Sequence, residues 1–145
     1  GGGAASPLPL ISSYAVSKAA VVRFVENLSE ELKDYNIDIN AVAPGPLNTG
    51  MLEEVLKAGP KRVGKNFYNK SVKQKKTGGT PFIKVCELIL FLGSKYSNGI
   101  KGKLISALWD DWKNWTNYKD LLQSSDAYTL RRIVGKERGF EWGDK

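Results

Sequence analysis

From Ser12 to about Lys33 the apolar residues Ala15, Ala19, Val22, Leu28 and Leu32 recur at helical spacing, with Glu26, Glu30 and Glu31 on the wetter side. That recurrence predicts an amphipathic helix, capped by Ser12 or Ser13. Asn36 to Ala43 then alternates and is β-branched enough for a strand, which Pro44-Gly45-Pro46 ends sharply. Residues 50–79 carry only weak helical periodicity, best over Met51 to Leu56, and read as a long connection. Thr80-Pro81 sets a capping residue before a proline at the first helical position. Phe82, Val85, Cys86, Ile89 and Leu90 follow at helical spacing as far as Gly93, a natural stop. Leu88, Phe91 and Leu92 widen this stripe, so a largely buried helix is expected, with Cys86 a small core residue. Gly102 to Leu108 reads as a second strand. The start, from Gly1 to Pro9, reads as flexible and turn-rich, and the tail as a tryptophan-rich turn plus a short helix from Ser125 to Val134.

Helix, strand, connection, helix, strand is the order of a piece of an α/β parallel sheet. One βαβ unit cannot cover both faces of its own sheet, so only a piece is expected.

At 145 residues, 41% hydrophobic and 26% charged, the chain is large enough for a core and ordinary for a globular protein. It has no apolar run near the ~20 residues of a membrane helix and no basic-then-apolar start, and its sole cysteine has no internal partner. A cytoplasmic protein without membrane contact is the expectation. Histidine is absent, which excludes Ser-His-Asp hydrolysis, Cys-His catalysis and histidine-ligated zinc; no metal is expected. Acid–base chemistry then falls to Tyr, Lys, Asp or Glu.

The net charge of +7 is local in origin. Lys57, Lys61, Arg62, Lys65, Lys70, Lys73, Lys75, Lys76 and Lys84 lie between Val55 and Cys86, where no acidic residue occurs. One reading is attraction of an anionic substrate, such as a phosphorylated or nucleotide-linked sugar; the plainer one is a solvated loop. Phe67 and Tyr68 adjoin the segment, yet no nucleic-acid recognition module is present, and nucleic-acid binding is not expected.

Tyr14-Ala-Val-Ser-Lys18 sets a phenol and an ammonium four residues apart at a helix start, on one face. A free tyrosine titrates near ~10, and a neighbouring cation moves a phenol toward a working range. Such a pair can exchange a proton with a carbonyl or alcohol oxygen while hydride moves at the adjacent carbon. The plainer alternative is an ordinary helix-start tyrosine with a solvated lysine.

Taken together, S-S-Y-A-V-S-K-A-A, an amphipathic helix and N-A-V-A-P-G-P-L-N-T resemble the short-chain dehydrogenase/reductase superfamily over about Gly1 to Leu108. The resemblance implies an α/β, Rossmann-like fold (a doubly wound parallel sheet) of which this chain is the incomplete C-terminal part, residues 109–145 being a tryptophan-rich extension. It implies Tyr14 as general acid/base, and Lys18 as the group that tunes it and binds the nicotinamide ribose. Pro44, Gly45, Leu47 and Thr49 would line the nicotinamide of NAD or NADP. It further implies a small carbonyl or alcohol substrate, anionic or sugar-like by its basic loop and polar tail. A homodimer or homotetramer of the full-length protein would be built through the Tyr14 helix, whose Ala15, Ala19 and Ala20 suit close approach. The family's Gly-rich phosphate loop, catalytic serine and helix asparagine have no counterpart here; Gly1-Gly-Gly3 precedes the tyrosine and does not open a βαβ unit. The chain alone is therefore expected to be inactive. The competing expectation is a non-catalytic half-fold that binds an anionic partner through residues 57–84. Trp109, Trp112 and Trp115 are expected to pack the tail against the sheet's end or a partner, a substrate-stacking wall being the alternative.

Overall fold

The computed structural model describes residues 2–142; Gly1, at the head of the expected flexible start, and residues 143–145, at the end of the tail, lie outside them. The element order is α1 (Gly2–Ala5), α2 (Ser12–Glu31), β1 (Ala41–Ala43), α3 (Gly50–Ala58), α4 (Pro60–Val63), α5 (Lys65–Thr77), α6 (Phe82–Leu92), β2 (Leu104–Ser106) and α7 (Lys119–Ser124), with short 3-10 turns between. β1 and β2 pair in parallel, Ala41 opposite Leu104, Val42 opposite Ile105 and Ala43 opposite Ser106. The class is α/β, mostly helical around a two-stranded parallel sheet.

Both strands are shorter than the alternation suggested. Asn40 explains the late start of β1, because its side chain takes over from the ladder: Nδ2 donates to the Ile100 carbonyl at 2.7 Å and Oδ1 accepts the Lys103 N–H at 3.1 Å. The start is not wholly turn, since Gly2–Ala5 is helical and Gly3 lies against the Tyr14 ring. Neither Ser12 nor Ser13 caps α2: both fall inside it, and Ile11 holds the cap position without a side-chain bond. The connection 50–79 is helical through most of its length. Its glycines, Gly59, Gly64 and Gly78, stand at the ends of successive helices and break what would be one stripe into three.

The core gathers Leu88, Ile100 and Ile105, all fully buried, with Val85, Ala107, Trp112, Trp115 and Leu122. Burying each such aliphatic side chain contributes about 1.5–3 kcal/mol. Trp112 meets Phe91 at 5.4 Å between ring centroids, and Trp115 meets Tyr128 at 4.4 Å. Two of the three tryptophans at 109, 112 and 115 therefore pack, whereas Trp109 is 82% exposed. α6 is not largely buried: Val85 and Leu88 face the core, while Phe82, Ile83, Ile89 and Leu90 are exposed and Cys86 is half-buried. The sheet and tail cover one side of that helix only.

The tail departs most from expectation. Residues 125–134 are not helical; the helix there is α7, upstream, and the segment after it turns at Ala127-Tyr128 against the far side of β2. Leu104 N–H donates to the Tyr128 carbonyl at 2.8 Å. The ammonium of Lys103, itself buried, donates to the Ser125 and Ala127 carbonyls at 3.0 and 3.1 Å. Glu26, assigned by sequence to the wet side of α2, is buried instead, accepts the Leu130 N–H at 2.5 Å and pairs with Arg23. Arg23 also donates to the Leu130 carbonyl. A buried carboxylate is tolerable because it is paired and hydrogen-bonded.

Candidate active site

Tyr14 sits in the first turn of α2 and Lys18 one turn on, as the four-residue spacing requires. The Lys18 ammonium lies 5.3 Å from the Tyr14 ring centroid, within cation–π range. The second half of the site is the turn after β1. Gly45 has φ +79°, and a Cβ there would stand 2.6 Å from Thr80 Oγ1 and 2.7 Å from Leu108 Cδ1, so only glycine fits. Gln74 of α5 secures the following residues, donating to the Leu47 carbonyl at 3.0 Å and to Asn48 Oδ1 at 3.3 Å. Thr49 holds the cap position of α3 in extended conformation but makes no capping bond with its hydroxyl.

These parts meet in one cleft. Tyr14, Pro44, Gly45, Leu47 and Thr49 all line a cavity of about 800 Å³. Lys18 is not part of its wall and meets the site at the Tyr14 ring. Met51, Leu52, Val55 and Phe67 make most of the side formed by α3 and α5, with Ser71 and Gln74 of α5 beside them. Among the described residues no lysine or arginine lines the cavity, and Asp110 is the one charged residue that does. The cations of segment 57–84 are all exposed and none lines the cavity.

The opposite wall contains residues that sequence reasoning missed: Ser106, Asp110, Tyr128, Thr129 and Leu130, beside Trp109. Tyr128 is a non-glycine residue at φ +62°, a conformation no local sequence signal announces. The signal that was present is Glu26, four residues beyond buried Val22 and three before buried Ser29, thus on the covered stripe of α2 where a charge requires a partner. Burial, followed by the negative charges of Asp110 and Asp111, pushes the Tyr128 phenol up from its ordinary value. Burial lowers the Lys103 ammonium, with Asp126 and then Glu26 opposing. Among the described residues no cluster of three or more His, Cys, Asp and Glu could hold a metal ion, and no helix is long and apolar enough to cross a membrane.

Residues 3–107 match the family model described as Enoyl-(Acyl carrier protein) reductase. The chain is 33% identical over 105 residues to an L-2,3-butanediol dehydrogenase of Corynebacterium glutamicum, covering 67% of this chain and 39% of that protein. It is 33% identical over 97 residues to a 3-oxoacyl-[acyl-carrier-protein] reductase of Chlamydia muridarum, covering 66% and 36%. A stretch of 50 residues is 52% identical to an 11-beta-hydroxysteroid dehydrogenase-like protein of Arabidopsis thaliana, covering 34% and 16%. The chain thus spans less than two fifths of the length of these curated relatives. No solved structure matches it.

Proposed function

Since this chain belongs to the short-chain dehydrogenase/reductase superfamily, we propose that it is the C-terminal, nicotinamide-facing portion of a Rossmann-like NAD- or NADP-dependent oxidoreductase acting on a carbonyl or alcohol. One observation carries this reading: Tyr14 and the turn Pro44–Thr49, separated in sequence by a helix and a strand, open into the same cavity.

The residues present fit a nicotinamide ring. Gly45 brings backbone to the cavity wall where any side chain would collide, and the Thr49 hydroxyl is uncommitted to its own helix. Pro44, Gly45, Leu47 and Thr49 would hold the ring, and Lys18 the ribose beside it. A bound dinucleotide would supply or accept the hydride. Tyr14 Oη gives a proton to the substrate oxygen in reduction and takes it back in oxidation. The apolar α3–α5 side excludes water from the reacting atoms.

A neutral substrate suits this cavity better than an anionic one, since no cation lines it. The exposed basic face of α3–α5 favours a second, separable reading, the docking of an acidic partner. Val16, Ala20 and Phe24 recur at helical spacing on the exposed face of α2 and suit a second copy of the chain.

Two measurements test the proposal. In the full-length gene product, Tyr14→Phe is expected to lower kcat by ~10²–10⁴ while leaving cofactor affinity in place; retained turnover would overturn the role. The 145-residue chain, which spans under two fifths of its relatives, is expected to bind NADH only weakly. Micromolar affinity would overturn the expectation that this portion alone binds the cofactor poorly.

A further inference from the structure

We propose that the C-terminal tail, beyond the family match at residues 3–107, forms a substrate wall that selects a neutral, hydroxyl-bearing ring: Asp110 and Tyr128 bind its hydroxyls and Trp109 covers its face. This deepens the reading of the cavity as a substrate site and rests on it.

The polar groups of the cavity are unevenly placed. The α3–α5 side is mostly apolar, and its polar residues Ser71 and Gln74 already donate to the Phe67 and Leu47 carbonyls, while the tail side carries Ser106, Asp110, Tyr128 and Thr129. Asp110 is fixed, accepting the Ser106 N–H at 2.7 Å through Oδ2, and an ionised carboxylate retains capacity for further donors. Ser106 Oγ accepts the Leu108 and Trp109 N–H groups at 3.3 and 3.2 Å, which leaves its own proton to give. With a carboxylate as the sole charge on the wall, an anionic ligand meets repulsion, whereas hydroxyl donors meet an acceptor. The Tyr128 phenol, held neutral by its surroundings, donates to ligand oxygens. The indole of Trp109, 82% exposed at this wall, offers an aromatic face to the apolar C–H side of a ring.

The wall is also preorganised. Bonds grip the chain on both sides of Tyr128: Lys103 to Ser125 and Ala127 before it, Leu104 to its own carbonyl, and Glu26 and Arg23 to Leu130 after it. They hold a residue with a Cβ at φ +62°, a conformation that persists only where surroundings over-determine it, as at ligand sites.

The test titrates the ¹⁵N-labelled full chain with methyl α-D-glucopyranoside and follows the Trp109 indole N–H and the Thr129 and Leu130 amides. Saturable, concerted shifts are expected. Asp110→Asn and Tyr128→Phe should each weaken binding about tenfold. Tyr128→Phe keeps its ring against Trp115, and the Trp112 and Trp115 indole signals report whether each variant is folded. Trp109→Ala, at an exposed position, is a further variant that should also weaken binding. Absence of shifts, shifts remote from Trp109, unchanged affinity in the tail variants, or tighter binding of the methyl glucuronide or glucosaminide would overturn the proposal. Binding needs neither cofactor nor turnover, so a missing dehydrogenase activity would leave a positive result standing. Binding that ignores the tail variants would sink the wall but not the proposed chemistry.

Discussion

Gly79→Ala offers a sharp test of how the cofactor-side turn is held. Gly79 has φ +67°, and a Cβ there would lie 2.4 Å from the Pro46 carbonyl oxygen. That oxygen cannot retreat freely, because it accepts the Thr80 N–H at 2.7 Å. Left-handed backbone costs a residue with a Cβ about 1–2 kcal/mol, and losing the Thr80 bond adds roughly 0.5–1.5 kcal/mol. The neighbour Gly78 supplies the control: its φ is +90°, yet nothing stands within 4 Å of its Cβ position. Gly78→Ala should incur the backbone cost alone. For a chain of 145 residues the unfolding entropy is about 0.3 kcal/mol/K. Gly78→Ala should then lower Tm by about 3–6 °C and Gly79→Ala by about 5–12 °C. The assay is thermal unfolding by near-ultraviolet circular dichroism. Indistinguishable melting of the two variants would show that the Pro46 contact does not restrain the turn.

Other outcomes follow from the same structure. Leu88→Ala, at a fully buried core position, should destabilise by about 2–5 kcal/mol in urea; a cost below about 1 kcal/mol would contradict the assigned core. Burial lowers the Lys103 pKa, so the folded chain binds fewer protons than the unfolded one, and this lysine's contribution to stability rises with pH toward its ordinary value of 10.5. Wild type should therefore gain on Lys103→Met in paired melts as pH rises through that window. The Tyr128 phenol is pushed up from 10.0, so its contribution is complete below that pH and is lost as pH climbs through the raised value. Tyr128→Phe should remove the latest-titrating component from the alkaline absorbance titration of the six tyrosines.

The parts legible in the sequence are those written in local patterns. The helix behind Tyr14, the stop at Pro44-Gly45-Pro46 and the helix ending at Gly93 all follow from periodicity and backbone chemistry, and the structure contains each. That Tyr14 and Thr49 share a cavity followed from motif order, because the cavity lies beyond the end of β1, where the turn emerges. What escaped detection depends on contacts distant along the chain. Glu26 looks like a solvent-facing acid until Leu130, far along the chain, supplies a donor. Lys103 looks like a surface cation until the Ser125 and Ala127 carbonyls close over it. Residues 125–134 are expected to be helical, yet the open side of β2 claims the Tyr128 carbonyl and holds the segment in a turn. Asn40 delays a strand that its neighbours would have begun earlier, through bonds to Ile100 and Lys103 that no local window reveals.

The direct test of a phenol and a nicotinamide pocket in one cleft is an assigned NMR titration of the chain with reduced nicotinamide mononucleotide, adenosine monophosphate serving as the control ligand. Concerted shifts of the Tyr14 ring and of the Leu47 and Thr49 amides, following one binding curve and absent with the adenosine ligand, are the predicted result. Shifts at the turn that leave Tyr14 unmoved, or shifts confined to another surface, would contradict it.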